Sequence, residues 1–492
     1  LRAEAIADAA RCTLGSPMTT TIAAPDAAPL DETRRVLGLV MRHGRNTTSF
    51  QILGEGYRYA FYGDDACVAY VDTGSAWVAA GAPIAPTERL REVAGAFVRD
   101  ARASGRRASF FATEARFVQS APADDPMRSL LVGEQPVWDP REWPATLARV
   151  RSLREQIRRS GAKGVTAERL PPEALASGAP ARAAIEALVS RWLGTRAMAP
   201  MGFLVRVDPF AVAEERRLYA AWQRGRLVGV LILVPVPARA GWFFEHLLRD
   251  PSAPNGTGEL LFDAAMRGLG AEGISFATFG LAPLAGDVGG WLRLARTWGR
   301  PLYDFTGLRA FKEKLRPTRW DPVYLTHPRG VPSSLALYDT LRAFAQRHLV
   351  TFGVATLLRG PDVVVRVLAV LLVPWTFALA SVDGARWFPA AYVQRGWVVF
   401  DVGLAVALFA LTPRWRPALA TWLAVLITAD ALLTAIEALS WNASRVRGVE
   451  DAWVIVLAIA APSLAAVVMW NARARRASIA RLPATLGCSR VG

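Results

Sequence analysis

GWFFEHLLRDPSAPNGTGELLFDAAMRGLGAEG, residues 241–273, decides how the chain is read. Its first nine residues are aromatic and aliphatic with little charge, the composition of a strand. DPSAPNGTG (250–258) gathers Pro, Asn and Gly and marks a turn. ELLFDAAMRGLGAEG then takes up a helical period and stops at Gly273. A strand that passes through a glycine turn into a helix offers the free N–H groups of the helix start to an anion. Asn255 and Gly256 occupy that turn and are candidate substrate contacts. The turn alone is weak evidence, because any strand-to-helix junction favours glycine.

The same grammar extends outward. RRLYAAWQRGRLVGVLILVPV (216–236) reads as two strands hinged at Gly225, and ISFATFGLAP (274–283) as a further strand. Upstream, residues 57–86 read as strands with turns at Gly63-Asp64-Asp65 and Thr73-Gly74-Ser75. TERLREVAGAFVRDARASG (87–105) is a helix capped by Thr87, and RASFFATEARFV (107–118) is a strand. ATLARVRSLREQIRRSGAKG (145–164) reads as one basic helix and ARAAIEALVSRWLGTR (181–196) as another. Each half gives strands, helix, strand, helix, so a doubled α/β unit is expected.

Beyond residue 360 the chain becomes apolar in four stretches, Val363–Ala380, Gly396–Leu411, Ala418–Leu439 and Ala452–Trp470. A membrane-spanning helix needs about 20 such residues, so the second stretch is marginal. Arg359, Arg414, Arg416, Arg473, Arg475 and Arg476 flank one end of the expected bundle, while the other loops mix charge signs. Positive-inside logic places both termini and the large N-terminal part in the cytoplasm, at the inner (plasma) membrane. Asp401, Asp430 and Glu437 lie inside these stretches, where charge is costly.

With 58 Lys+Arg against 42 Asp+Glu the net charge is +16, which points to an anionic partner, nucleic acid or lipid. Only Lys163, Lys312 and Lys314 are lysines. Cys12, Cys67 and Cys488 form no CxxC, and His43, His246, His327 and His348 show no HExxH spacing. Neither a disulfide framework, a metal nor a cofactor is expected.

A strand, glycine turn, helix and strand form the core of a GNAT acyltransferase. The R/Q-x-x-G-x-G/A pyrophosphate loop of that fold is absent, which argues against a CoA donor. Over roughly residues 36–328 the chain resembles the phosphatidylglycerol lysyltransferase (aminoacyl-phosphatidylglycerol synthase) family. The resemblance is carried by GAPIAP (81–86), SLREQIRRSGAKG (152–164), HLLRDPSAPNGTGELLF (246–262), FGLAPLAG (279–286), YDFTGLRAFKEKLRPTRW (303–320) and DPVYL (321–325). It implies tandem GNAT-like domains that move an amino acid from aminoacyl-tRNA to a lipid hydroxyl. Two departures stand out. The family commonly carries an N-terminal multi-helix membrane region, and this sequence carries its apolar stretches after the transferase region. Where the family commonly shows Asp-Leu-Met-Arg, this sequence has His246-Leu247-Leu248-Arg249, with Glu245 just before.

The organisation expected is a disordered segment (1–35), a first GNAT-like domain (36–170), a second, catalytic one (171–330), a connecting segment (331–361), four transmembrane helices (362–472) and a basic cytoplasmic tail (473–492). The partners expected are aminoacyl-tRNA, an anionic phospholipid such as phosphatidylglycerol, and the bilayer. Two alternatives stay open at this point: an acyltransferase of the same fold with another activated donor, and a non-catalytic lipid-binding or translocating membrane protein.

Transfer from an aminoacyl ester to an alcohol needs a base, an oxyanion stabiliser and positive charge for phosphates. His246 is the candidate base. In a regular strand it would face away from Glu245 and Arg249. Arg249 and Asp250 at the strand end form a candidate ligand-binding pair. In GLRAFKEKL, Arg309, Lys312 and Arg316 would share a helix face, with Lys314 opposite. A lysine kept among so many arginines suggests a tight site for a compact ammonium, so Lys312 and Lys314 join the catalytic candidates. Glu245, Gly280, Pro283, Asp304 and Arg316 complete the substrate-binding set. Arg154, Arg158, Arg159 and Lys163 are the candidate tRNA or phosphate contacts.

Overall fold

The computed structural model describes residues 30–481, apart from 197, 291, 294–304, 347, 360, 383 and 412–414. Twelve strands form one sheet: β1 (Arg58–Phe61), β2 (Cys67–Asp72), β3 (Ala76–Ala80), β4 (Arg107–Glu114), β5 (Met127–Trp138), β6 (Val165–Arg169), β7 (Arg217–Gln223), β8 (Arg226–Val236), β9 (Gly241–Arg249), β10 (Ala277–Thr278), β11 (Ala282–Pro283) and β12 (Arg319–Pro328). Their order is β1-β2-β3-β4-β12-β5-β10-β9-β8-β7-β6, with β11 on β5. Two pairs are parallel, β3 with β4 and β9 with β10. Each closes a repeat of three antiparallel strands, a helix and a strand parallel to the third. The connecting helices are α1 (Leu90–Ala103) and, after the glycine turn, α2 (Thr257–Ala271).

The two repeats exchange strands. β12, from the C-terminal repeat, lies between β4 and β5, and β5, from the N-terminal one, lies between β12 and β10. Prolines are placed to permit this. Pro322 pairs only with β5, one residue before β12 begins to pair with β4. Pro136 falls between the β10 and β11 registers, where β5 has no ladder partner on that side. A proline lacks the N–H that a fully flanked position needs.

An aromatic cluster fills each repeat. Phe97 of α1 packs on Phe110, Trp77 and Tyr70. Phe262 of α2 packs on Trp138, Trp143, Phe244 and Phe279. Buried indoles need partners. Trp138 Nε1 donates to Leu315 O (2.9 Å) and Trp143 Nε1 to Asp263 Oδ1 (2.8 Å).

Several expectations are corrected. Residues 30–35 are not disordered but open the helix Leu30–His43, whose Val36, Leu39 and Val40 are buried. The strand expected over 107–118 ends at Glu114 and turns into the short helix Ala115–Gln119. The helix expected over 145–164 breaks at Val150 into Trp143–Arg149 and Arg151–Ala162. The second piece and β6 pack on the C-terminal repeat, so a boundary at 170 cuts through that repeat. The connecting segment contains the helix Ser333–Phe344, which is pinned to the N-terminal repeat by Arg107 on buried Asp339 (2.7 and 2.8 Å) and by Arg342 on Ser75 (2.7 Å).

Among the described residues three helices are long and apolar enough to cross a membrane: Ala391–Leu411, Pro417–Arg445 and Val449–Ala474. The stretch expected to be marginal is therefore a full 21-residue helix, and Val365–Ser381 is the shorter apolar one. Val365, Leu408, Ala420, Leu423 and Met469 share one core, so all four pack together.

Candidate active site

β9 and β10 pair at only two positions, Trp242 with Ala277 and Phe243 with Thr278. β9 then follows β8 to Arg249, while the other chain bends away to place Ala282 and Pro283 opposite Glu134 and Gly133 of β5. A wedge opens between them. The bend requires Gly280: its φ is +60°, and a Cβ there would lie 2.6 Å from the Phe243 ring.

Lys312 holds the bend. The helix Phe305–Lys314 lies over it, and Lys312 Nζ donates to the carbonyls of Phe279, Gly280 and Leu281, each at 3.0 Å. Lys312 is 4% exposed, and burial pulls its pKa down to about 7. All of its N–H groups, three in the charged form and two in the neutral amine, are spent on backbone, so Lys312 fixes the wedge and does not reach out toward a phosphate. Three N–H groups radiating from one small centre match three successive carbonyls, which a planar guanidinium cannot do. Lys314 Nζ instead meets Glu259 Oε1 (2.6 Å) in the first turn of α2, and Arg309 Nη1 meets Glu134 Oε2 (3.0 Å). Arg316 does not share their face: the helix ends at Lys314, and Arg316 is an exposed left-handed residue (φ +55°). Asp304 lies outside the described residues.

Glu245 and His246 are brought together by a bulge. His246 sits opposite Ile232 and Phe244 opposite Leu233, which leaves Glu245 without a cross-strand partner. The extra residue lets neighbouring side chains share a side. His246 Nε2 lies 4.0 Å from Glu245 Oε2, which corrects the alternation expected of a regular strand. Glu245 is ion-paired to Arg216, both almost fully buried. His246 Nε2 lies 3.1 Å from Arg206 O, and because a carbonyl only accepts, Nε2 carries the hydrogen and Nδ1 the free lone pair. Burial lowers the His246 pKa below its ordinary value, so the ring is neutral at pH 7. The site thus supplies a neutral imidazole beside an anchored carboxylate.

The expected Arg249–Asp250 pair is not formed. Arg249 is exposed at the strand end. Asp250 turns inward, where it accepts from Arg191 Nε (2.9 Å), Arg226 Nη2 (2.7 Å) and Ser252 N and Oγ (2.9 and 2.6 Å). Burial alone would raise its pKa, but the bonds from Ser252 and Arg191 and the charge of Arg226 hold it below the usual range. Asp250 is a structural knot beneath the turn.

Gly256 has φ +97°, and a Cβ there would lie 2.4 Å from Gln156 O of the basic helix. Asn255 is exposed beside it. Gly256→Ala is therefore expected to cost roughly 1–3 kcal/mol through the left-handed backbone alone, more with the clash. Thermal unfolding checks this, and an unchanged Tm would contradict the close approach. Of the basic set, Arg158, Arg159 and Lys163 are exposed, with Arg158 on Glu155 (2.9 Å). Arg154 is exposed as well, and its Nη1 also caps the preceding helix by donating to Leu147 O (2.8 Å) and Ala148 O. Glu134, Arg216 and Glu259 were not anticipated from sequence; Glu259, in the first turn after a glycine cap, carried the one readable signal.

A mixed sheet whose parallel pair splays beside a helix N-terminus defines the GNAT-like acyltransferase class. Residues 38–327 match the family described as phosphatidylglycerol lysyltransferase, C-terminal, and the chain belongs to that family. Among solved structures it is similar to the C-terminal domain of a protein from Agrobacterium fabrum described as a lysylphosphatidylglycerol synthetase (22% identity, TM-score 0.56, 65% of this chain and 98% of that one). It is also similar to L-PGS from Bacillus licheniformis (21% identity, TM-score 0.54, 64% and 96%). No curated protein matches the sequence. The chain is thus a lipid-modifying transferase of GNAT-like fold that carries membrane helices.

Proposed function

We propose that the two repeats are tandem GNAT-like units and that the chain moves an aminoacyl group from aminoacyl-tRNA to a hydroxyl of a membrane phospholipid such as phosphatidylglycerol. The observation that carries this reading is the wedge between β9 and β10, with a neutral His246 at one wall and a bend held by Lys312 at the other. His246 Nδ1 takes the proton of the attacking lipid hydroxyl. The new ester forms as the tRNA 3′-terminal ribose oxygen leaves and regains a proton. Arg249 supplies positive charge at the wedge mouth, Lys314 ties its helix to the first turn of α2 through Glu259, Asn255 and Gly256 line the mouth, and Pro283 fixes its far edge. The exposed Arg158, Arg159 and Lys163 stand on the helix that touches the glycine turn, where they meet the donor's phosphates.

The membrane helices support a cytoplasmic site. Arg473 Nε bonds Thr421 Oγ1 (2.9 Å), so the ends bearing Arg416 and Arg473 lie together, and Val365 packs with Met469 near that end. The opposite end carries the mixed pair Arg386–Asp451. By the positive-inside rule the arginine-rich end, from which the transferase part departs, is cytoplasmic, and we read the four packed helices as spanning the inner membrane. A reporter joined after residue 476 is expected to report cytoplasm; a periplasmic signal would remove tRNA as donor.

The test is discharge of radiolabelled aminoacyl-tRNA by the purified chain in phosphatidylglycerol vesicles. Label is expected in an alkali-labile lipid, and donor affinity is expected to fall steeply with salt as phosphate counterions are released. Label transferred from an acyl-CoA and not from aminoacyl-tRNA would favour the other-donor acyltransferase.

A further inference from the structure

A second polar cavity lies at the opposite end of the sheet from the wedge, where β4 ends and β12 and β10 begin. It has a volume of ≈520 Å³ and is lined by Arg45, Glu114, Arg116, Arg239, Arg319 and Asp321, among others. The strand exchange builds it, since β12 brings Arg319 and Asp321 alongside Glu114 of β4. Its charges do not balance. Arg239 is paired with Glu114, and Arg319 Nε donates to Asp321 Oδ1 (2.9 Å). Arg45 and Arg116 form no ion pair among the described residues: Arg45 Nη1 donates to Ala238 O (3.3 Å), and Arg116 donates to Thr87 Oγ1. The lining therefore carries four guanidiniums against two carboxylates, both of which are already engaged by Arg239 and Arg319.

The polar groups are also incompletely used. The Nε atoms of Arg45 and Arg239 are buried without an acceptor. Gln135 is 0% exposed, sits across from Asp321 in the β5–β12 register, and turns its amide toward the Glu114 carboxylate. Buried donors and unpaired charges of this kind are costly unless something fills them. A fork of guanidiniums fits the oxygens of a phosphate in bidentate fashion. The carboxylates of Asp321 and Glu114 beside it are acceptors suited to hydroxyl groups. The volume suits a group of headgroup size.

We propose that this cavity binds the phosphate of a glycerophosphate headgroup, with Arg45 and Arg116 on the phosphate and Asp321 on a glycerol hydroxyl. The naming of a lipid headgroup rests on the transferase reading above, and the lipid held here is a second one, apart from the acceptor whose hydroxyl meets His246 at the wedge; the anion site itself rests on the unpaired arginines. Nucleic acid is the less suited occupant, because the exposed basic residues Arg158, Arg159 and Lys163 lie beside the glycine turn at the wedge.

The test is isothermal titration of the full chain in nonionic detergent with glycerophosphoglycerol, inorganic phosphate and glycerol. The headgroup is expected to bind more tightly than phosphate, and glycerol not at all. Arg45→Gln and Arg116→Gln are each expected to weaken both anions at least tenfold at an unchanged Tm. If either fails to fold, Arg→Lys at the same position serves in its place: it keeps the charge, loses the fork and should still weaken binding. Equal affinity for phosphate and headgroup would assign the site to free phosphate and overturn the lipid assignment. Absence of binding, binding indifferent to both arginines, or displacement by an RNA acceptor stem alone would also overturn it. No donor or turnover enters the assay, so its failure leaves the transfer reaction to be judged separately.

Discussion

His246→Ala is expected to lower aminoacyl transfer by about 10²–10⁴-fold, the range for loss of a general base, with donor binding little changed. The pH profile is the more selective readout. Burial lowers the His246 pKa, so kcat/KM in the wild type should rise along a limb with its midpoint below 6.5 and be flat above it. His246→Ala should lose that limb. Stability should move in the same direction. The unfolded chain binds the proton more readily than the folded one, so the contribution of His246 is complete above pH 6.5 and is lost as pH falls through its depressed folded value. A limb that persists in His246→Ala would assign the base to another group.

Lys312→Ala is expected to lower transfer by about 100-fold or more, equivalent to roughly 2.7 kcal/mol. It should also lower Tm, because one buried and two partly buried carbonyls lose their donor, and a buried unsatisfied group costs about 1–3 kcal/mol. Lys312→Arg should fail as well, since the guanidinium does not fit between the carbonyls. Lys314→Ala is the contrast: its ammonium is 36% exposed on Glu259, so about 1 kcal/mol or less is expected. The lysine also marks a pH window. Its pKa is near 7 in the fold against 10.5 in the unfolded chain, so between those values the unfolded state holds the extra proton and stability rises with pH. Lys312→Met should flatten that rise. Chemical denaturation across pH 7–10 checks it, and wild-type turnover and Tm in Lys312→Ala would remove the residue from the site.

The strand, glycine turn and helix at 241–273 were legible because each has a local signature. The strand exchange was not. β5 carries Pro136 and β12 carries Pro322, residues that disqualify a central strand unless a neighbour is missing at that position, which only the tertiary arrangement decides. The site divided along the same line. Retention of Lys312 among arginines was visible as an anomaly, yet its partners are backbone carbonyls, which no sequence pattern displays. The bulge that joins Glu245 to His246 is a register event between two strands, whereas the alternation rule sees only one. The inward turn of Asp250 depends on Arg191 and Arg226, which are distant in the chain.

The most direct measurement is lipid mass spectrometry of cells that make the wild-type chain, the His246→Ala chain or neither. An aminoacyl ester of a phospholipid, with the mass of the lipid plus one amino acid less water, is expected in the first and at most traces in the other two. Identical lipid profiles in all three, with the protein folded and in the membrane, would contradict it.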